Sequence, residues 1–277
     1  MNVGIVLMPE CRELTPQVLG RYVEDLGFES LFYPEHTHIP VNTRRGDGGS
    51  ARDYADTYDP FVALAAVAAV TSTLKLGTAV CLVTERHPIT TAKAVASLDQ
   101  ISGGRFLFGV GAGWNRLEMA NHGTDPRNRM AVLADRVHAM RAIWSADEAD
   151  YHGDFVDFDA IWSWPKPVQR PHPPVLVGGN GPGTENRVLD FGDGWLPQAD
   201  FFDTPDDFGR RAAALRQRAD DAGRGPLPIT LFNATPDRGL LDAFAEAGAD
   251  RCLFNLDIER ADEALSTLDE WAKLVPR

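Results

Sequence analysis

The sequence predicts an α/β chain folded as a (β/α)8 barrel, and three observations carry that expectation. Short apolar runs alternate with helix-period segments about eight times, the count such a barrel requires. The chain has 277 residues, a size common for one barrel. No linker, internal repeat or low-complexity tract divides it, so residues 1–277 read as a single domain.

In order along the chain, Val3–Met8 is the first apolar strand, and Pro16–Leu26 a helix closed by Gly27. Ser30–Tyr33 is a second strand and runs into Pro34-Glu-His-Thr-His-Ile-Pro40. Residues 41–57 are polar and glycine-containing and read as a long mobile loop. Pro60–Val70 is an Ala-rich buried helix, Lys75–Leu82 a third strand and Pro88–Ile101 the next helix. Arg105–Val110 is the fourth strand, and Arg129–Trp144 is a helix with Leu133, Val137, Met140 and Trp144 on one face. Alternation around Gly153 predicts a small hairpin near residues 151–159, outside the main repeat, and Pro165–Pro174 is extended. Strands follow at Pro174–Val177, Gly194–Pro197, Ile229–Phe232 and Arg251–Asn255. A helix begins after Gly181, and others cover Phe208–Asp221, Leu240–Ala247 and Ala261–Leu274.

Composition excludes several classes of function. A net charge of −13 argues against a general nucleic-acid or membrane-surface binder. An anionic ligand would need locally placed cations or backbone amides. Cys11, Cys81 and Cys252 are too few and too scattered for a disulfide framework or zinc site, and read as buried thiols. The N-terminus has no signal-peptide pattern, and the longest apolar run, Phe61–Val70, is too short to span a bilayer. The expectation is a cytoplasmic protein with a small-molecule substrate.

In such a barrel the active site lies at the C-terminal ends of the strands. That rule selects Glu35, His36 and His38 after the second strand, Thr84 to His87 after the third, Gly111 to Glu118 after the fourth, and Gly178 to Gly181 after the fifth. Gly178-Gly-Asn-Gly181 joins a strand end to a helix start, where amides and the helix dipole favour a phosphate; a tight turn needing positive φ is the other reading. His36 is held between Pro34 and Pro40; it either faces a bound ring and moves a proton, or is a solvent-facing loop histidine. His36 and His38 lack further ligands at zinc-like spacing, so no metal is expected. Gly109-Val-Gly-Ala-Gly113 fails the dinucleotide fingerprint because Trp114 stands where a third glycine belongs. Asp53, Asp56 and Asp59 read as solvated charges, Trp162 and Trp164 as packing beneath a long connection rather than as a pocket wall, and Arg44, Arg45 and Arg86 as either anion-binding or solvated.

Six segments, in this order, resemble one family. They are Pro34–Pro40, Arg86-His-Pro88, Leu98-Asp-Gln-Ile-Ser-Gly-Gly-Arg105, Gly109-Val-Gly-Ala-Gly-Trp-Asn115, Pro165-Lys-Pro-Val-Gln169 and Gly192-Asp-Gly-Trp195. Together they resemble the bacterial luciferase-like superfamily of flavin and deazaflavin enzymes, over nearly the whole chain. EHTHIP with GAGWN is most similar to the branch that uses coenzyme F420, a 5-deazaflavin. The resemblance implies a luciferase-like barrel, a homodimer, and a cofactor ring at the strand C-termini. It also implies a non-proline cis peptide at Ala79–Val80 behind the ring. His36 then matches the histidine near the reactive carbon, Glu35 stands beside it, and Gly111, Ala112 and Gly113 match the loop along the ring. Gly178, Gly179, Asn180 and Gly181 match the phosphate turn, with Trp114 and Asn115 in the substrate pocket. In the superfamily's sugar-phosphate dehydrogenase a glutamate stands where this chain has Trp114, which argues against that activity. Proximity alone does not give Glu118 its role.

The chain lacks the long late insertion that covers the flavin in the luciferases. Oxygen-activating chemistry must exclude water, so missing cover favours hydride transfer by F420. The expected activity is an F420-dependent oxidoreductase. The alternatives are an FMN-dependent monooxygenase of the same fold and a flavin- or deazaflavin-binding protein without turnover.

Overall fold

The computed structural model describes residues 1–7, 13–44, 48–258 and 260–276. Cys11, Arg45 and Met8, the last residue expected in the first strand, lie outside the described residues. The barrel strands are β1 (Asn2–Leu7), β2 (Ser30–Tyr33), β3 (Lys75–Thr78) with its continuation β4 (Cys81–Leu82), β5 (Phe106–Gly111), β8 (Val175–Gly178), β9 (Gly194–Leu196), β10 (Thr230–Leu231) and β11 (Arg251–Leu256). All pair in parallel in the order β10-β11-β1-β2-β3-β5-β8-β9, with β4 also on β5. Single parallel bridges, Trp195 to Ile229 and Gln198 to Phe232, join β9 to the β10 segment and close the ring.

A helix follows each strand or strand pair: α1 (Pro16–Asp25), α2 (Pro60–Ala68), α3 (Pro88–Ser102), the short α4 (Arg116–Asn121) with α5 (Arg129–Ser145), α6 (Thr184–Phe191), α7 (Pro205–Asp221), α8 (Arg238–Glu246) and α9 (Ala261–Ala272). Several begin with proline just inside the first turn behind a side-chain cap: Thr15 on α1, Asp59 on α2 and Thr204 on α7.

Strand alternation divides the apolar residues into two cores. Val6, Phe32, Ala79, Leu107, Leu176, Leu196 and Leu253 fill the lumen, while Ile5, Leu31, Leu76, Phe106 and Phe108 face the helices. The lumen leaves no room at two places. A Cβ on Gly77 would stand 2.0 Å from the Phe32 ring, and one on Gly109 only 1.8 Å from the Thr78 carbonyl oxygen.

Sequence and structure differ at informative places. The expected third strand is two strands, β3 and β4, separated by Ala79–Val80, whose peptide bond is cis. The hairpin is longer than residues 151–159: β6 (Glu148–His152) pairs with β7 (Asp157–Trp162). Trp162 and Trp164 do not pack under the connection; they are 79% and 52% exposed. Trp162 ends β7 with its indole N–H on Glu148, and Trp164 faces the Lys166 ammonium. The expected loop 41–57 contains a one-turn 3₁₀ helix, Arg52–Ala55, and an Arg44–Ser50 bridge. The helix after Gly181 begins at Thr184, behind Gly183, so Gly178–Gly181 does not run straight into it. Helix α4 was too short for periodicity to reveal.

Gly109→Ala is expected to cost about 3 kcal/mol or more, because backbone oxygen rather than a flexible side chain occupies the space. Gly225→Ala, where nothing lies within 4 Å, should change stability by less than about 1 kcal/mol. Urea midpoints of the two variants measure the contrast, and equal midpoints would contradict the packing account.

Candidate active site

The strand C-termini open into a cavity of about 480 Å³. Its wall is largely apolar, with Ala79, Val80, Leu82, Leu196, Phe232 and Met130, and Gln198 adds a polar group. Of the residues selected from sequence, Glu35, His36, Ala79, Val80, Gly111, Ala112, Gly113, Trp114, Gly178 and Gly179 line it. Asn115, Asn180 and Gly181 do not.

The glycines beside the cavity serve the wall before they serve a ligand. A Cβ on Gly111 would stand 2.5 Å from Val80 Cγ2, and one on Gly178 2.8 Å from Val80 Cγ1. The Val80 side chain therefore occupies the space that both residues leave open. Thr78 and Thr84 fasten the same strands, donating to the carbonyls of Gly109 and Ala112.

The residues outside the cavity position those inside it. Asn115 is buried and caps α4, its Oδ1 accepting from the amides of Leu117 and Glu118. Asn180 donates to the Gln198 carbonyl at 3.0 Å and accepts from the Gln198 amide at 2.8 Å, which fixes the end of β9. Arg86 is committed to Glu35 and Asp59, so it is neither solvated nor free for an anion. Asp59 caps α2 as well and is not simply a solvated charge.

Sequence reasoning gave one group no role and missed two others. The first is Glu118, selected by position alone and fully buried on α4. Its Oε2 accepts from His36 Nδ1 at 2.7 Å, and its Oε1 from the Thr37 amide at 2.9 Å. Burial pushes its carboxyl up, but the His36 and Thr37 hydrogen bonds outweigh that and hold it below the ordinary glutamate value. A second aromatic layer is the next omission: Tyr54 stacks on His36 at 5.7 Å and meets Trp114 edge-on at 6.0 Å. Nothing in the spacing of residues 41–57 could have placed it there.

The third group is cationic. Arg187 on α6 bonds Thr184 Oγ1 at 2.9 Å and lies against Gly183, beside the Gly179 turn. Burial lowers its guanidinium from the usual arginine range; Glu185 offsets part of this and the like charge of Arg129 adds to it. The buried Nε of Arg129 has no acceptor among the described residues. Two like-charged arginines thus act on each other near this turn, whose Gly179 amide donates to the Leu196 carbonyl.

The His36 ring has a defined proton arrangement. Trp114 Nε1–H, which can only donate, points at His36 Nε2 at 3.3 Å. Nε2 is thus an acceptor, and Nδ1 carries the proton given to Glu118. The Nε2 lone pair of His36 is held by the Trp114 N–H at the cavity wall, and a carboxylate lies behind the ring.

Beneath Gly113 lies Glu85, 7% exposed, with neither oxygen meeting a donor among the described residues. Burial, then the charges of Glu118 and Glu35, push its carboxyl up to about 8, with Arg86 opposing.

A closed parallel barrel with its cavity at the strand C-termini defines a class of small-molecule enzyme folds. The chain belongs to the luciferase-like monooxygenase family, which it matches over residues 16–236. It is 40% identical to an uncharacterised protein of Mycobacterium tuberculosis, over 98% of both chains. It is 32% identical to the F420-dependent hydroxymycolic acid dehydrogenase of M. tuberculosis, over 82% of this chain and 60% of that one. Among solved structures it is similar to the monooxygenase RslO1 of Streptomyces bottropensis, with a TM-score of 0.83, 21% identity, and 99% and 98% of the two chains covered. The family comprises oxidoreductases that act on small molecules, both dehydrogenases and monooxygenases. No helix among the described residues is long and apolar enough to cross a membrane.

The raised Glu85 carboxyl gives stability a definite pH dependence. The folded state holds a proton that an unfolded glutamate releases at about 4.5, so stability is full below that pH. It falls as pH rises through about 8, where the folded group ionises. Glu85→Gln, a neutral mimic, should remove this component. Between pH 6 and pH 9 the melting temperature of wild type should drop at least about 2–4 °C more than that of the variant, the shift of 1 kcal/mol at this size. Parallel melting curves would count against a buried neutral acid.

Proposed function

We propose that this protein is an F420-dependent oxidoreductase that oxidises a small alcohol. The observation that carries the reading is His36, whose unprotonated Nε2 faces the cavity while Glu118 holds Nδ1–H. That is the arrangement of a general base toward an alcohol O–H that takes the place of the Trp114 N–H on Nε2. The 32% identical relative named as an F420-dependent dehydrogenase supports it.

The residues present fit the cofactor. The flat apolar wall of Ala79, Val80 and Leu82 suits a polycyclic ring, and Gly179 with Arg187 and Arg129 suits an acidic tail. Bound F420 would supply a two-electron acceptor, the deazaflavin C5, that reacts poorly with oxygen. His36 accepts the alcohol proton at Nε2, and the imidazolium formed has Glu118 against its other nitrogen. Trp114 and Tyr54 narrow the approach to His36 and orient the substrate carbon. An apolar cavity of this volume admits a small or narrow alcohol beside the ring.

Parallel fluorescence titrations with F420 and FMN should show F420 bound the more tightly. His36→Ala should lower kcat for alcohol oxidation by about 10²–10⁴ while changing F420 affinity only a few-fold. Preference for FMN with oxygen consumption would replace this reading with monooxygenase chemistry. Unchanged turnover in His36→Ala would remove the base role.

A further inference from the structure

The glutamates behind the cavity differ in what compensates them. Glu35 has the Leu82 amide and Arg86, and Glu118 has His36 and the Thr37 amide. Among the described residues Glu85 has no donor, although its side chain is 1% exposed. Its Oε1 stands 3.6 Å from the place a Cβ would take on Gly113, directly under the cavity loop. Its Oε2 stands 3.8 Å from Nε2 of His122, which is partly exposed. The other charges acting on Glu85 are Glu118 across from it on α4, Glu35 after β2, and Arg86 beside it in sequence. Arg136 of α5 is committed to the carbonyls of Val83 and Arg86. A buried carboxylate without a donor is costly, whereas the neutral acid can donate to Glu118, which has acceptor sites to spare.

We infer that Glu85 and Glu118 share one proton and, with His36 at the cavity end and His122 at the surface end, form a proton path out of the active site. The inference deepens the alcohol-oxidation reading and rests on it for the direction of flow. The substrate O–H proton goes to His36 Nε2; bound F420 would be the acceptor for the C–H hydrogen and its electron pair. His36 Nδ1 passes its own proton to Glu118 Oε2. The proton already held by Glu85 moves to His122 Nε2, and Glu118 returns one to Glu85. The carboxyl pair is unchanged, one proton reaches the surface, and His36 is left with its proton on Nε2, which returns to Nδ1 before the next turnover. His122 suits the exit: burial first, then the His38 charge, lower its affinity for a proton, so it releases readily to water. Its Nε2 also meets Thr37 Oγ1 at 2.6 Å, beside Glu118 Oε1.

The test uses the protein without cofactor, so its outcome is independent of F420 binding. Carbon-13 NMR of labelled glutamate side chains should find one neutral carboxyl at pH 7, absent in Glu85→Gln. Nitrogen-15 NMR should find His36 with its proton on Nδ1, and Glu118→Gln should change that tautomer distribution. Exchange of the His36 Nδ1 proton with water reads the path itself. It should slow at least tenfold in Glu85→Gln and in His122→Ala, and the latter should keep the neutral carboxyl signal, showing an intact pair. No neutral glutamate at pH 7, or wild-type exchange in both variants, would overturn the inference. Failure of F420 to bind with slowed exchange intact would overturn only the function proposed above.

Discussion

The site depends on one steric arrangement, the seating of Val80 between Gly111 and Gly178 at the mouth of the barrel. Three neighbouring strands end there, and each gives up volume for the others. Gly109 allows Thr78 to approach β5, and Gly111 and Gly178 then leave the space that the Val80 side chain fills. Close packing of this kind has little tolerance for added volume. The wall it creates is apolar and continuous, and its position fixes where a planar ligand can lie relative to His36.

A second layer of constraint is electrostatic. Glu35, Glu85 and Glu118 are all brought beneath the cavity loop, in a chain whose net charge is already −13. Burying like charges together is unfavourable unless each is paired or neutralised. Arg86 answers Glu35 and joins the loops after β2 and β4 to α2 through Asp59. Glu118 is answered by a hydrogen bond from His36, which couples the helix α4 to the orientation of the ring. Only a proton is left for Glu85. The structural ion pair and the chemical group are thus consequences of the same crowding.

The barrel was legible because strand and helix periods alternate strongly, and the strand-end rule then selected most of the cavity wall from position alone. The resemblance motifs were legible too, but most of them turn out to fasten the scaffold. Asp99 accepts from the backbone and side chain of Gln169, and Arg105 donates to the carbonyls of Ala68, Thr71 and Leu74. Asp193 accepts from the Val175 amide. What could not be read were pairings between distant segments. The approach of His36 to Glu118 spans 82 residues, and Tyr54 reaches the ring from a polar loop. Asn115 and Asn180 were selected by neighbourhood, yet the first caps a helix and the second clamps a strand end. Short polar side chains at strand ends serve both purposes, and sequence does not separate them.

The distribution of charge also bears on how an acidic cofactor could enter so acidic a protein. Long-range attraction offers no help at this net charge, so affinity has to come from contacts at short range. Beside the turn at Gly179, Arg187 supplies positive charge that Glu185 offsets in part, and Arg129 adds a like charge. The anionic cofactor proposed above would find both guanidinium groups at hand, because among the described residues neither forms an ion pair as Arg86 does. At the other end of the cavity, burial favours the neutral form of Glu85, and Glu118 lies behind the imidazole it accepts from, beyond the Glu35–Arg86 pair. On the function and proton path proposed above, such a cavity would separate its two tasks: anion binding at the β8 turn, and proton movement under the loop after β5.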